Sequence, residues 1–253
     1  TNAATLIAIW ALLRNNCTPE QALQPLENVP KLAYFHDATS GRCSYKLSVS
    51  DVVHGVARAR GVGVFRPDEF DIDEYEHWEA VENGDLSWII PGKFCAFAGP
   101  HDKTELTRDG YLLLAADHYI DYFRKQNVQL VVRLNKAYYN ERSFTSAGIG
   151  HAHLAYTDGS NPPPSIVRAF LAAVDGVGDG AVAVHCKAGL GRTGTCIGLW
   201  MMKTYQFTAQ EAIGWMRLVR PGSVIGPQQH YLSTMQSRMW EEGVSTRALR
   251  GLR

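Results

Sequence analysis

The sequence has no apolar run approaching the ~20 residues that a membrane-spanning helix requires. Its 25 basic and 25 acidic residues cancel. With no polycationic character, no nucleic-acid partner is expected, and no membrane partner either. The five cysteines (17, 43, 95, 186 and 196) include no Cys-x-x-Cys pair. An odd, scattered set is not a disulfide framework and suits a reducing, intracellular compartment. Thr1 to Leu13 lacks the basic start of a secretory signal and reads as a helix. His151 and His153 have metal-like spacing, but no Cys or His lies near to complete a ligand set. They are read as structural, and neither a metal nor another cofactor is expected. The 253 residues suffice for one large domain or two small ones.

Another absence is local. From Pro67 to Gly92 there is no lysine or arginine, while Asp68, Glu69, Asp71, Asp73, Glu74, Glu76, Glu79, Glu82 and Asp85 all fall there. Such a run is either a solvated linker helix or an acidic wall that attracts basic ligands. Tyr75, His77, Trp78 and Trp88 interleave the acids and favour a packed element.

What is present is concentrated in ten residues, His185 to Gly194. An apolar strand pattern, Ala181 to Val184, leads in, and a helical pattern from Thr195 to Tyr205 leads out. Strand, tight loop and helix start direct backbone N–H groups and a helix N-terminus at one point, which suits an oxyanion such as phosphate. The same field stabilises a negative sulfur on Cys186, the nucleophilic form. Arg192 adds a planar fork matched to two phosphate oxygens. Gly189 and Gly191 let the loop turn, and Lys187, Ala188 and Leu190 complete the cradle. The segment resembles the signature loop of cysteine-dependent protein tyrosine and dual-specificity phosphatases.

The chain also repeats itself. Shifted by 190 positions, Thr5, Ile7, Trp10, Thr18, Ala22 and Val29 fall on Thr195, Ile197, Trp200, Thr208, Ala212 and Val219. Thr18 to Gln21 and Thr208 to Glu211 both read as capping boxes. Under this shift Asn2 aligns with Arg192. Residues 1–63 therefore read as the rear part of a degenerate, non-catalytic copy with no nucleophile in this sequence. Residues 64–88 read as an acidic linker helix, 89–243 as the catalytic domain and 244–253 as a tail.

Within 89–243, Phe94 to Phe97 and Val128 to Leu134 read as strands. Leu112 to Lys125 and Ile166 to Val174 read as helices. Two or three more helices follow the signature loop. This alternation implies an α/β fold with a mostly parallel central sheet flanked by helices. A general acid must protonate the leaving oxygen, and Asp158, in a Gly/Pro-bounded loop, is the candidate over Asp102 and Asp175. Thr193 offers a hydroxyl to the Cys186 sulfur. Gln228, in Gly226-Pro-Gln-Gln229, offers an amide to orient a water. His185 reads as packing and hydrogen-bonding behind the loop.

Val184 to Thr195, Arg220 to Gln229, Val132-Arg-Leu-Asn135, Asp158-Gly-Ser160 and Asp73 to Trp78 together resemble the cell-division-cycle-fourteen protein phosphatases, from Thr1 to about Gly243. The resemblance implies two tandem dual-specificity-phosphatase folds joined by an acidic linker helix, the second alone being catalytic. It implies Cys186 as nucleophile, Arg192 as phosphate clamp, Asp158 as acid and Gln228 near the water. It implies phosphoprotein substrates with Ser-Pro sites and nearby basic residues, which Glu76 and Glu79 would meet. Also implied are reversal of cyclin-dependent-kinase phosphorylation at mitotic exit and cytokinesis, and a nuclear or nucleolar and cytoplasmic location, with centrosome, spindle or basal body as further sites.

Two other readings stay open at this level. A phosphoinositide phosphatase can share most of the loop, but such enzymes place a second lysine where Leu190 stands, and the acidic stretch repels anionic headgroups. A phosphopeptide-binding scaffold would keep the cradle without turnover.

Overall fold

A computed structural model describes residues 1–30 and 32–249. The chain divides into two compact units, Thr1–Phe70 with Ile197–Arg253, and Asp71–Cys196. Residues 244–253 are not all a tail: α10 (Pro227–Leu249) continues through 249, and 250–253 lie outside the described residues. Among the described residues no helix is long and apolar enough to cross a membrane.

The Asp71–Cys196 unit is built on a five-stranded sheet. Its strands are β1 (Leu86–Ile90), β2 (Phe94–Phe97), β5 (Val128–Arg133), β6 (Gly150–His153) and β7 (Ala181–His185), in the order β1-β2-β7-β5-β6. β1 runs antiparallel to β2, and the other pairings are parallel. β7 lies in the middle of the sheet, and every one of its residues is buried. A strand covered on both faces is nearly all apolar, and Ala-Val-Ala-Val is that pattern. The helices of this unit are α4 (Ile72–Glu79), α5 (Asp117–Lys125), α6 (Arg142–Thr145), α7 (Pro164–Val177) and the start of α8 (Gly191–Tyr205). α7 opens with Pro164 at its first turn, where no N–H is needed.

Two expectations change. Residues 112–125 are not one helix: Leu112 and Leu113 form β4, paired with Leu106 and Glu105 of β3 (Glu105–Leu106), and α5 begins only at Asp117. The cause is Gly110, at φ 81°, which closes a turn with its N–H on the Thr107 carbonyl and folds the leucines back as a hairpin. The acidic stretch is not one helix over 64–88 either. Regular helix covers only Ile72–Glu79; Ala80 turns extended, Gly84 adopts φ 145°, and Leu86 begins a strand of the sheet.

The other unit is helical: α1 (Asn2–Arg14), α2 (Pro19–Leu23), α3 (Val49–Gly61), the remainder of α8, α9 (Ala209–Val219) and α10 (Pro227–Leu249). The capping boxes form as read: Thr18 with Gln21, and Thr208 with Glu211. The 190-residue shift superposes element on element, α1 on α8 and α2 on α9, but burial differs. Ile197 and Trp200 are buried while Ile7 and Trp10 are exposed. α3 and α9 meet at glycines: a Cβ on Gly55 would stand 2.5 Å from the Glu211 carbonyl oxygen, and one on Gly214 2.9 Å from the Val52 Cα.

Candidate active site

β7 delivers the chain to Cys186, residues 186–190 turn, and α8 starts at Gly191. Gly189 takes φ 65°, a conformation open to glycine at little cost. Parallel sheets place ligands at the C-terminal ends of their strands, and Cys186 stands at the end of the central one. Its side chain is almost wholly buried, whereas Lys187 and Ala188 are exposed. Gly99, two residues beyond β2, clamps the loop from beneath. Its N–H donates to the Lys187 carbonyl at 2.9 Å, and a Cβ there would run into the Cys186 carbonyl oxygen.

Arg192 is 5 % exposed. Its Nη1 donates to the carbonyls of Tyr156 (3.0 Å) and Leu134 (3.3 Å), which orients the guanidinium. Its Nε is buried and has no hydrogen-bond partner, and its Nη2 lies 3.1 Å from Asp158 Oδ1. One edge of the fork is therefore anchored. The other presents an unused donor and a donor held only by an exposed carboxylate. Buried donors without partners are rare and call for an explanation; a phosphate taken on the Nε/Nη2 edge supplies one.

Asp158 sits on an exposed turn that its own Oδ1 helps to close, accepting from the Gly159 N–H at 3.1 Å. Tyr156, on the same segment, donates its hydroxyl to the Arg192 carbonyl at 3.2 Å. Burial, with the Cys196 thiol next, drives the Tyr156 hydroxyl far above the usual phenol range, so it stays a neutral donor. The segment carrying Asp158 is thus tied to Arg192 at both ends. Thr193 Oγ1 is buried and has no hydrogen-bond partner.

The structure brings Cys186, Arg192, Asp158, Thr193 and the Lys187–Gly191 loop into one unit. Asp102 accepts from the Asn140 N–H, and Asp175 lies on α7. Glu76 and Glu79 are exposed on α4. That helix is held down by its other face: Trp78 packs on Tyr122 at 4.0 Å between ring centroids, and the Tyr122 hydroxyl donates to Glu74 (3.0 Å) while accepting from Trp88 Nε1 (2.8 Å). Gln228 belongs to the helical unit. It is buried at the start of α10, and its Oε1 accepts from the Ile225 N–H at 3.3 Å. In the same unit Asp37 holds that turn, accepting from the Gly226 N–H (2.8 Å) and Gln229 Nε2 (2.6 Å).

Sequence reading missed the residues behind the loop. His185 does pack there as expected, its Nδ1 3.0 Å from the Cys186 carbonyl and its Nε2 2.8 Å from the Tyr139 hydroxyl. Tyr139, His151 and Gly99 carried no signal as part of the site, because only the sheet brings them to it.

Two family models match. Residues 1–59 match the N-terminal half of dual specificity protein phosphatases, and residues 109–206 match a polymorphic toxin system DSP-PTPase phosphatase. Among curated proteins, the chain is 50 % identical over 249 residues to dual specificity protein phosphatase CDC14AB of Danio rerio, covering 98 % of this chain and 40 % of that protein. It is 49 % identical to CDC14A of Homo sapiens, covering 96 % and 41 %. It is 42 % identical to tyrosine-protein phosphatase CDC14 of Saccharomyces cerevisiae, covering 97 % and 46 %. The chain thus spans about two-fifths to just under half the length of these relatives. Among solved structures, PTPMT1 aligns with a TM-score of 0.52 at 18 % identity, covering 63 % of this chain and 99 % of that one. A Tk-PTP structure aligns with a TM-score of 0.50 at 23 % identity, covering 60 % and 95 %. Both show a likeness of fold.

Proposed function

The chain belongs to the CDC14 dual specificity protein phosphatases, and on that premise we propose that it hydrolyses phosphoserine, phosphothreonine and phosphotyrosine in proteins through a phosphocysteine intermediate. The observation that carries this reading is Arg192: Nη1 is anchored to two carbonyls, and buried Nε is unpartnered beside the Cys186 loop. The Cys186 thiolate attacks phosphorus and forms the S–P bond. The ester P–O bond breaks, and the leaving oxygen takes a proton from Asp158. Water then attacks phosphorus, the S–P bond breaks, and the water proton passes to the Asp158 carboxylate. Thr193, whose hydroxyl has no other partner, supplies the hydrogen bond that eases the sulfur's departure. By the motif match alone we assign Gln228 to orienting that water.

We read Glu76 and Glu79 as the acids that meet basic residues near a phosphoserine-proline site, since α4 is anchored by its opposite face and leaves both exposed. Leu190, where a second cation would be needed, and the acids of α4 weigh against an inositol phosphate. We read residues 1–63 as the rear part of a non-catalytic phosphatase-like domain, supported by the family model over 1–59. From the likeness to this family we infer a role in reversing cyclin-dependent-kinase phosphorylation, in nucleus and cytoplasm.

The test is phosphate release, without added metal, from a phosphoserine-proline peptide carrying a downstream lysine. Turnover that Cys186→Ser abolishes is the expected result. Binding of the peptide by folded wild-type protein without release of phosphate would replace the enzyme reading with a scaffold.

A further inference from the structure

Behind the catalytic loop runs a line of buried side chains that the reaction steps above do not use. Each hydrogen in it can be placed from its neighbours. His185 Nδ1 lies 3.0 Å from the Cys186 carbonyl oxygen, which can only accept, so Nδ1 carries the hydrogen. Burial lowers the His185 pKa to about 3. The ring is therefore neutral near pH 7, and its Nε2 is a bare acceptor. Tyr139 Oη lies 2.8 Å from that Nε2, so the Tyr139 hydroxyl donates to it. With its one hydrogen used, Oη accepts from its other neighbour, His151 Nε2, at 2.9 Å. Burial and Arg133 hold His151 neutral too, at about 4. Its hydrogen is therefore on Nε2, and its Nδ1 is a bare lone pair. That Nδ1 is buried, has no hydrogen-bond partner, and lies 3.9 Å from Glu141 Oε2.

We propose that His151 is a positioning residue for the nucleophile, setting the direction of one hydrogen-bond chain from His151 through Tyr139 and His185 to the Cys186 carbonyl. The chain has two possible polarities. If His151 carried its hydrogen on Nδ1, its Nε2 would compete for the Tyr139 hydrogen. His185 Nε2 would lose its donor, and the ring would no longer be held in the tautomer that grips the Cys186 carbonyl. That carbonyl belongs to the first peptide of the signature loop, so its orientation sets where the following N–H groups point. An unpartnered His151 Nδ1 is what the productive polarity leaves behind. Arg133 flanks the line: its Nη1 donates to the Tyr139 carbonyl at 2.9 Å, its Nε donates to His153 Nδ1 at 2.9 Å, and its guanidinium lies 4.8 Å from the Tyr139 ring.

The activity arm of the test rests on the phosphatase reading; the spectroscopic arm does not. In the full chain with 15N-labelled histidine, the ring shifts should report hydrogen on Nδ1 of His185 and on Nε2 of His151. Tyr139→Phe should abolish the single tautomer of His185. On an aryl phosphate, His151→Phe and Tyr139→Phe should each lower kcat about tenfold with KM within about twofold, because the loop is misaligned for the reaction more than for binding. The double variant should be no slower than the slower single one, since His151 acts only through Tyr139. His151→Gln, which restores an N–H at the same end, should recover most of the rate. It also keeps the test alive if the Phe variant fails to fold. Full kcat in folded His151→Phe, multiplying losses in the double variant, or hydrogen on His151 Nδ1 would each overturn the proposal. Loss of the phosphatase reading would show instead as wild-type turnover indifferent to Cys186→Ser.

Discussion

Asp158 Oδ1 and Arg192 Nη2 stand 3.1 Å apart, one side chain 71 % exposed and the other 5 %. A pair with one partner in water is weak, so the carboxylate is readily exchanged for a better ligand of the guanidinium. The arrangement parks the acid beside the group that would hold phosphate. Asp158→Ala should therefore slow a phosphoserine peptide by about 10²-fold or more. An activated aryl phosphate, whose leaving group needs no proton, should slow far less. Equal losses in the two assays remove Asp158 from the acid role.

Arg192→Lys keeps the charge and loses the fork. Only one edge of the guanidinium is anchored, so the lysine has neither the carbonyl tether nor a bidentate face. We expect kcat/KM to fall about 10²- to 10³-fold on every phosphorylated substrate. A variant within a few-fold of wild type would mean that the unpartnered edge is not where phosphate binds.

Thr193→Val separates stability from rate. The hydroxyl is buried without a partner, which costs roughly 1–3 kcal/mol relative to a satisfied group. Replacing it by a methyl should leave the melting temperature unchanged or raise it, while hydrolysis of the phosphocysteine slows. Rapid-mixing assays should then show a burst of leaving group followed by a slower steady rate. A drop in melting temperature with no burst would assign Thr193 to packing.

Acid should destabilise the fold through the buried histidines. His185 is lowered to about 3 and His151 to about 4, in each case chiefly by burial. The unfolded chain, with histidines near 6.5, binds more protons than the folded one below that pH. Stability is therefore complete above about pH 6.5 and declines as pH falls towards 4. Melting temperatures between pH 7.5 and 4.5 should decline less steeply in His151→Gln than in wild type.

Gly55→Ala should destabilise the helical unit by about 1–3 kcal/mol, since its Cβ has no room between α3 and α9. Urea unfolding measures the change. A neutral result would mean that the two helices separate at little cost.

Local signals carried most of the elements. The strands at Phe94–Phe97, Val128–Arg133 and Ala181–His185 and the capped helices α2 and α9 were legible because apolar period and capping chemistry act within a few residues. Leu112–Leu113 misread as helix because their apolar spacing fits either period, and the partner that decided, Glu105–Leu106, lies across a turn. Leu86–Ile90 was hidden by its acidic neighbours and became a strand only because β2 offered an edge.

In the signature loop, Cys186, the two glycines and Arg192 fall within seven residues, so residue identity and spacing alone determined an oxyanion cradle with a nucleophile in it. Asp158 could be named but not placed. Tertiary structure decided which carbonyls orient Arg192, that its Nε is left without a partner, that Asp158 meets its Nη2, and that Tyr139 and His151 line up behind His185. The physical reason is range: a loop's own backbone geometry is local, whereas a buried hydrogen-bond chain exists only after the parallel strands have set β5, β6 and β7 side by side.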